Sequence, residues 1–197
     1  EASWGQLARF QGLARVAGEY LSAGALHRTH DAMMAPLRAL IDRGCRKLAH
    51  ITGPQGLQLQ ANRRDEAFID TCKRNGIEPI VVSTLESNFS NLDYYRDIEN
   101  LLTGHAVDGL FLGNDIMAAQ TMQIAARLGV SIPDQLKIVG FDDISLASLT
   151  TPALTTIRQP VDEIGKYAVD VIQNQLNGTV VPTQIVLPVT LVKRGTP

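Results

Sequence analysis

Apolar residues along this chain follow two alternating rhythms. Four short segments, KLAHITG (47–53), EPIVVS (78–83), DGLFLGND (108–115) and LKIVGFDD (136–143), have nearly continuous apolar centres. That pattern predicts strands buried on both faces. The segments DAMMAPLRALIDRG (31–44), ANRRDEAFIDTCKRNG (61–76), NLDYYRDIENLLTG (91–104) and IMAAQTMQIAARLG (116–129) alternate with them. In these, apolar residues recur at helical spacing, with Gly44 and Gly76 as C-terminal stops. Pro36 is expected in the first turn of its helix, or at a kink. A strand–helix series of this kind builds a parallel sheet covered by helices on both sides.

The tail changes rhythm. A short strand is expected from Leu154 to Arg158. VDEIGKYAVDVIQNQLNG (161–178) predicts a helix, with Val161, Ile164, Ala168, Val171 and Ile172 on one side. TQIVLPVTLVKR (183–194) reads as extended, interrupted by Pro188 as an edge or crossover would be. Residues 1–27 predict nothing firm, because Gly12 and Gly18 weaken the helical pattern there.

Composition narrows the function. The chain has 197 residues, 45% of them hydrophobic, and a net charge of −2. A core is readily formed, and a nucleic-acid grip, which needs a basic face, is not expected of this stretch by itself. No apolar run approaches the roughly 18 residues of a membrane span. The opening EASWGQLARF has no signal-peptide pattern, and a start without Met is read as the start of a fragment. Cys45 and Cys72 have no metal-site spacing and fit a reducing, cytoplasmic setting.

In a parallel α/β sheet, ligands bind beyond the carboxyl ends of the strands. Thr52 and Gly53, Asn88 and Phe89, Asn114 and Asp115, Asp142 and Asp143, and Gln159 all fall at that edge, and Arg64 faces it from early in its helix. Carboxylates, amides and a guanidinium suit hydroxyl groups, and an aromatic ring suits the apolar face of a sugar. Bland readings stand beside these. The paired acids could cap a turn, one of Asn114 and Asp115 is expected to cap the following helix, and Arg64 in NRRDE could be solvated. His50, inside a strand, is read as a core residue. Nucleophile elbow, zinc-protease, dinucleotide and P-loop motifs are missing, as is a base to partner the acids. No catalytic residue, metal or cofactor is therefore expected.

GFDDISLASLTTPALTTIRQPVDEIGKYAVDVI followed by LPVTLVKRG resembles the C-terminal half of the LacI/GalR family of bacterial transcription regulators. LIDRGCRKLAHITGP, RRDEAFIDTCKRNGIEP and DGLFLGNDIMAAQTMQIAARLGVSIPDQLKIVGFDD resemble it too, in the same order. The resemblance runs from about residue 28 to the end. It implies an α/β effector-binding core of the periplasmic-binding-protein type I fold, with two lobes and a small ligand between them. The C-terminal lobe, 28–157 and 188–197, is expected to be nearly complete. The N-terminal lobe, 1–27 and 158–187, is expected to be incomplete, and the DNA-binding headpiece absent. Carried over by motif, the effector-binding residues are Arg64, Phe89, Asn114, Asp142 and Gln159, with Asp115 and Asp143 in supporting roles. Gly44-Cys45, where the family has Gly-His, and Pro36 depart from the pattern. The resemblance implies a sugar or sugar-phosphate effector, operator DNA as a partner through the headpiece, and a homodimer. The alternative is a periplasmic sugar-binding protein of a transporter.

Overall fold

The computed structural model describes residues 29–52, 59–83, 92–181 and 187–197. Residues 1–27 and Phe89 lie outside them. The chain divides into two compact units. The larger is Thr29–Gln159 with Val189–Pro197, and the smaller includes Pro160–Pro188.

In the larger unit the order is α1 (Thr29–Asp42), β1 (Leu48–Thr52), α2 (Leu59–Arg74), β2 (Ile80–Ser83), α3 (Leu92–Gly104), β3 (Gly109–Leu112), α4 (Asp115–Arg127), β4 (Lys137–Asp142), α5 (Ser145–Leu149), β5 (Thr155–Arg158) and β6 (Thr190–Val192). The strands form one six-stranded sheet in the order β2-β1-β3-β4-β5-β6. Pairing is parallel from β2 to β5 and antiparallel only between β5 and β6.

Side chains alternate across this sheet, and each face has its own helices. Ala49, Ile51, Leu110, Leu112 and Ile138 pack with Tyr94, Ile98 and Leu101 of α3 and with Met117, Ala118 and Ala125 of α4. Leu48, Phe111 and Val139 pack on the opposite face with Leu37 and Leu40 of α1 and Ala67, Phe68 and Cys72 of α2. This two-sided cover explains the unbroken apolar strands, since both faces of β1 and β3 are buried. Each large side chain removed from water contributes about 1.5–3 kcal/mol, so burial dominates the local propensities.

The helix stops follow glycine chemistry. Gly44, Gly76 and Gly129 have φ of 89°, 67° and 72°. After each, the next amide returns to a carbonyl of the final turn: Cys45 to Leu40 at 3.1 Å, Ile77 to Cys72 at 2.9 Å and Val130 to Ala125 at 2.9 Å. Such closures satisfy carbonyls that a helix end leaves open.

α1 begins at Thr29, so of the two places expected for Pro36 the first turn is excluded and the helix interior remains. Pro36 itself is buried, and it removes one backbone donor from the helix. In the tail, Thr190–Val192 form an edge strand just past Pro188, in keeping with the expected break there. The pairing partner, β5, is itself only four residues long.

In the smaller unit, α6 (Val161–Leu176) has Asp162 and Glu163 in its first turn, where acids oppose the positive helix end. Val171 is buried, Ile164, Ala168 and Ile172 are partly buried, and Val161 is exposed. The apolar stripe is thus narrower than periodicity suggests.

Gly109 opens β3 against the start of β1. A Cβ there would lie 2.5 Å from Cδ2 of Leu48 and 3.1 Å from Sγ of Cys45. Gly109→Ala is expected to cost about 1–3 kcal/mol through overpacking. Adding Leu48→Val removes the first obstacle, so the double variant should lose less than the two single losses combined. Urea midpoints of the four proteins test this coupling.

Candidate functional site

Because the strands run parallel from β2 to β5, their carboxyl ends share one edge. The order β2-β1-β3 reverses the sequence order of the strands between β1 and β3, the usual place of a ligand crevice. Arg64 of α2 reaches this point. Its guanidinium donates to the carbonyl of Gly113, just beyond β3, at 2.8 Å. It lies 4.8 Å from the centroid of the Phe141 ring, within cation–π range. Burial lowers the pKa of Arg64, and the carboxylates of Asp142 and Asp65 oppose the shift. A solvated-face reading of Arg64 is therefore set aside.

β4 ends in an unusual backbone. Asp142 and Asp143 have φ of 112° and 56°, a region that non-glycine residues rarely occupy, although Asp tolerates it better than most. The two side chains consequently face different partners. Asp142 Oδ1 accepts from the Gln159 amide at 2.6 Å. Asp143 accepts from Arg158 Nε at 2.5 Å and from Arg194 at 2.7 Å, and its side chain is only 4% exposed.

The electrostatics separate the pair further. Burial pushes the Asp142 carboxyl above its ordinary value, against the opposing pull of the Gln159 hydrogen bond and the Arg64 charge. Burial also acts on Asp143, but the hydrogen bonds and charges of Arg194 and Arg158 outweigh it and hold that carboxyl below its ordinary value. Asp143 is locked in an ion pair, whereas Asp142 keeps one oxygen beyond the bond to Gln159.

Asp115 supports this turn from beneath. It is fully buried. Its carboxylate accepts from Thr156 Oγ1 at 2.5 Å and from the amide of Ile144, which follows the paired acids, at 2.9 Å. Burial raises its pKa, and those two hydrogen bonds oppose the rise. Gly140 leaves the carboxylate its room, since a Cβ there would collide with Asp115 Oδ1.

Asn114 is the N-cap of α4, accepting from the amide of Met117 at 2.8 Å. Its carbonyl oxygen is thus engaged in capping, and its NH2 is the group suited to a ligand. Arg64, Asn114, Asp142 and Gln159 all lie along the carboxyl edge, and Phe89 falls outside the described residues. Sequence reasoning missed Phe141, Arg158, Thr156 and Arg194. The alternation of β4 and β5 could have flagged the first three. Arg194 returns from far along the chain and carries no local signal. Among the described residues, no group of three or more His, Cys, Asp or Glu is placed to hold a metal ion.

A family model for the periplasmic binding protein-like domain matches residues 37–196. The chain belongs to this family. The matched span of the periplasmic-binding-protein-like core runs from within α1 through β6, taking in every site residue named above. It is 35% identical over 159 residues to the ribose operon repressor of Halalkalibacterium halodurans, covering 80% of this chain and 47% of the relative. Among solved structures it is similar to a periplasmic binding protein/LacI transcriptional regulator from Alkaliphilus metalliredigens complexed with D-xylulofuranose. That match has 26% identity and a TM-score of 0.75, and covers 85% of this chain and 63% of the other. It is also similar to the lac repressor dimer bound to operator and the anti-inducer ONPF, at 28% identity and a TM-score of 0.76, covering 85% and 58%. The periplasmic-binding-protein-like core is thus of the LacI/GalR effector-binding kind, and these relatives are transcriptional regulators. The chain spans about half the length of the curated relatives it matches.

The two acids predict opposite stability changes. A raised carboxyl pKa means that ionisation costs stability as pH climbs from the unfolded value through the folded one. Asp142→Asn keeps an acceptor for Gln159 and tolerates the backbone, so its melting temperature at neutral pH should equal or exceed the parent's. A depressed pKa stabilises above the unfolded value, about 3.9, and that contribution is lost as pH falls through the folded value. Asp143→Asn should therefore be less stable at neutral pH and lose less than the parent on acidification below about pH 4. Calorimetric scans against pH check both.

Proposed function

We propose that this chain is the effector-binding core of a bacterial, cytoplasmic transcriptional regulator, and that the effector is a sugar or sugar phosphate. The observation that carries this reading is the placement of Arg64 and Asp142 at one strand edge, with Gln159 on Asp142 and the Asn114 amide beside Gly113. A guanidinium supplies donors, a carboxylate supplies acceptors, and amides supply both. Such a set grips adjacent hydroxyls, and Arg64 also suits an anionic group. Phe89 is proposed as the ring that stacks on the sugar. The chain carries no catalysis in this reading. Recognition is its role.

The family relatives favour a regulator over a transport protein. The proposed partners are a second copy of the chain and operator DNA, the latter contacted through a separate headpiece. With a net charge of −2, this core lacks the excess of basic residues that DNA binding needs. To act as a switch, the effector must bind two states of the regulator with different affinity. The proposed lobes are 28–157 with 188–197 as the C-terminal lobe and 1–27 with 158–187 as part of the N-terminal lobe; the larger compact unit runs two residues further, to Gln159.

A panel of pentoses, hexoses, disaccharides and their phosphates should contain at least one compound that raises the melting temperature in a saturable way, without turnover. Asp142→Asn and Arg64→Ala should each weaken that compound by about 1–3 kcal/mol, as read by titration calorimetry. If both variants bind the hit as the parent does, the site is misassigned. Turnover of the hit would instead indicate an enzyme.

A further inference from the structure

His50 is a polar residue at the centre of an apolar strand. It is fully buried on the face of the sheet covered by α2. Its ring lies between those of Phe68 and Phe111, with centroids 5.4 Å and 4.8 Å away. Nδ1 is 2.9 Å from the carbonyl of Phe111. Since a carbonyl only accepts, Nδ1 donates. Nε2 lies 3.2 Å from Oδ1 of Asp65. Asp65 is 6% exposed, and neither of its carboxylate oxygens has a hydrogen bond. The imidazole edge of His50 is thus the polar group set against this carboxylate.

Asp65 directly follows Arg64 in the chain. The two tie α2 to neighbouring points, Arg64 directly to Gly113 just beyond β3 and Asp65 through His50 to Phe111 within β3. A guanidinium has five N–H donors, and the Gly113 bond uses one. Leaving a buried carboxylate uncompensated is strongly unfavourable, and the charge of Asp65 already acts on Arg64.

We propose that His50 is a positioning residue for Arg64: by engaging Asp65 it keeps that carboxylate off the adjacent guanidinium. Arg64 then stays on Gly113, aimed at the strand edge, with donors left for an acceptor-rich ligand. The ligand side of this inference rests on the reading of Arg64 as an effector contact. The positioning side does not.

The test compares the full chain with His50→Phe, Asp65→Asn, the double variant and His50→Gln. Nitrogen-15 NMR of the ligand-free proteins follows the Arg64 side-chain signal, and calorimetry follows D-ribose as the probe. In His50→Phe the Arg64 signal should move and D-ribose affinity should fall by about tenfold or more. Asp65→Asn removes the competing charge, so it should keep the parental signal and an affinity within about threefold of the parent. The double variant should restore both. His50→Gln retains a donor for Asp65 and should also keep the parental signal, which preserves a test if His50→Phe does not fold. A merely structural pair would not produce this asymmetry, because losing either half leaves the other unpaired. A parental Arg64 signal in His50→Phe, or a displaced one in Asp65→Asn or His50→Gln, would overturn the proposal. If the signals behave as expected but D-ribose binds no variant and not the parent, the positioning role stands and D-ribose is excluded as the effector.

Discussion

The buried carboxylate of Asp115 holds together the part of the molecule on which recognition depends. It receives Thr156 from β5 and the amide of Ile144 from the loop after β4, and the bare backbone of Gly140 makes space for it. Burying an acid is unfavourable unless its oxygens are satisfied, and here each has a donor. The turn between Asp142 and Ile144 is thereby pinned in a backbone conformation that its residues would not choose alone. Strain of this kind persists only where the surroundings over-determine it. One acid is turned towards Gln159 and the other towards two arginines as a result.

The two aspartates show how position divides labour between chemically identical side chains. Asp143 is surrounded by cations and is held ionised within the fold. Asp142 is half-buried, shares its charge with Arg64 across the edge, and gives one oxygen to Gln159. A group that lowers stability when ionised, yet sits at the mouth of a crevice, is a common mark of a residue serving recognition rather than folding. The same contrast separates Arg64 from Arg158. Arg64 is held under the edge by Gly113 and Phe141, whereas the Arg158 side chain is 59% exposed.

Much of this was legible in the residues. The alternation of strands and helices is a local signal, and parallel strands can only end at one edge, so Arg64, Asn114, Asp142 and Gln159 could be placed there before any coordinates. Asn114 also announced its capping role, because Asn ahead of a helix is a strong local cue. The rest depends on distant partners. Arg194 meets Asp143 across 51 residues of chain, and hydrophobic periodicity holds no information about such a pairing. Pro36 left two placements open, and its local preference to begin a helix did not decide between them, because the helix extends back to Thr29. His50 was rightly read as a core residue, but only the fold shows that Asp65 lies beside it.

The final residues have a consequence for biosynthesis. Thr196 accepts from the amide of Ile138 through its carbonyl and from the amide of Thr155 through its hydroxyl. Arg194 donates to the carbonyl of Leu154 as well as to Asp143. The larger unit is therefore discontinuous in sequence, and its last stitch comes from residues 189–197. On the ribosome, where chains grow at about 5–20 residues per second, β4 and β5 emerge well before that stitch. Until it arrives, the exit of β4 lacks one of the arginines that fix Asp143. The nascent unit can collapse early, but its recognition edge matures only after the intervening α6 segment has also left the tunnel.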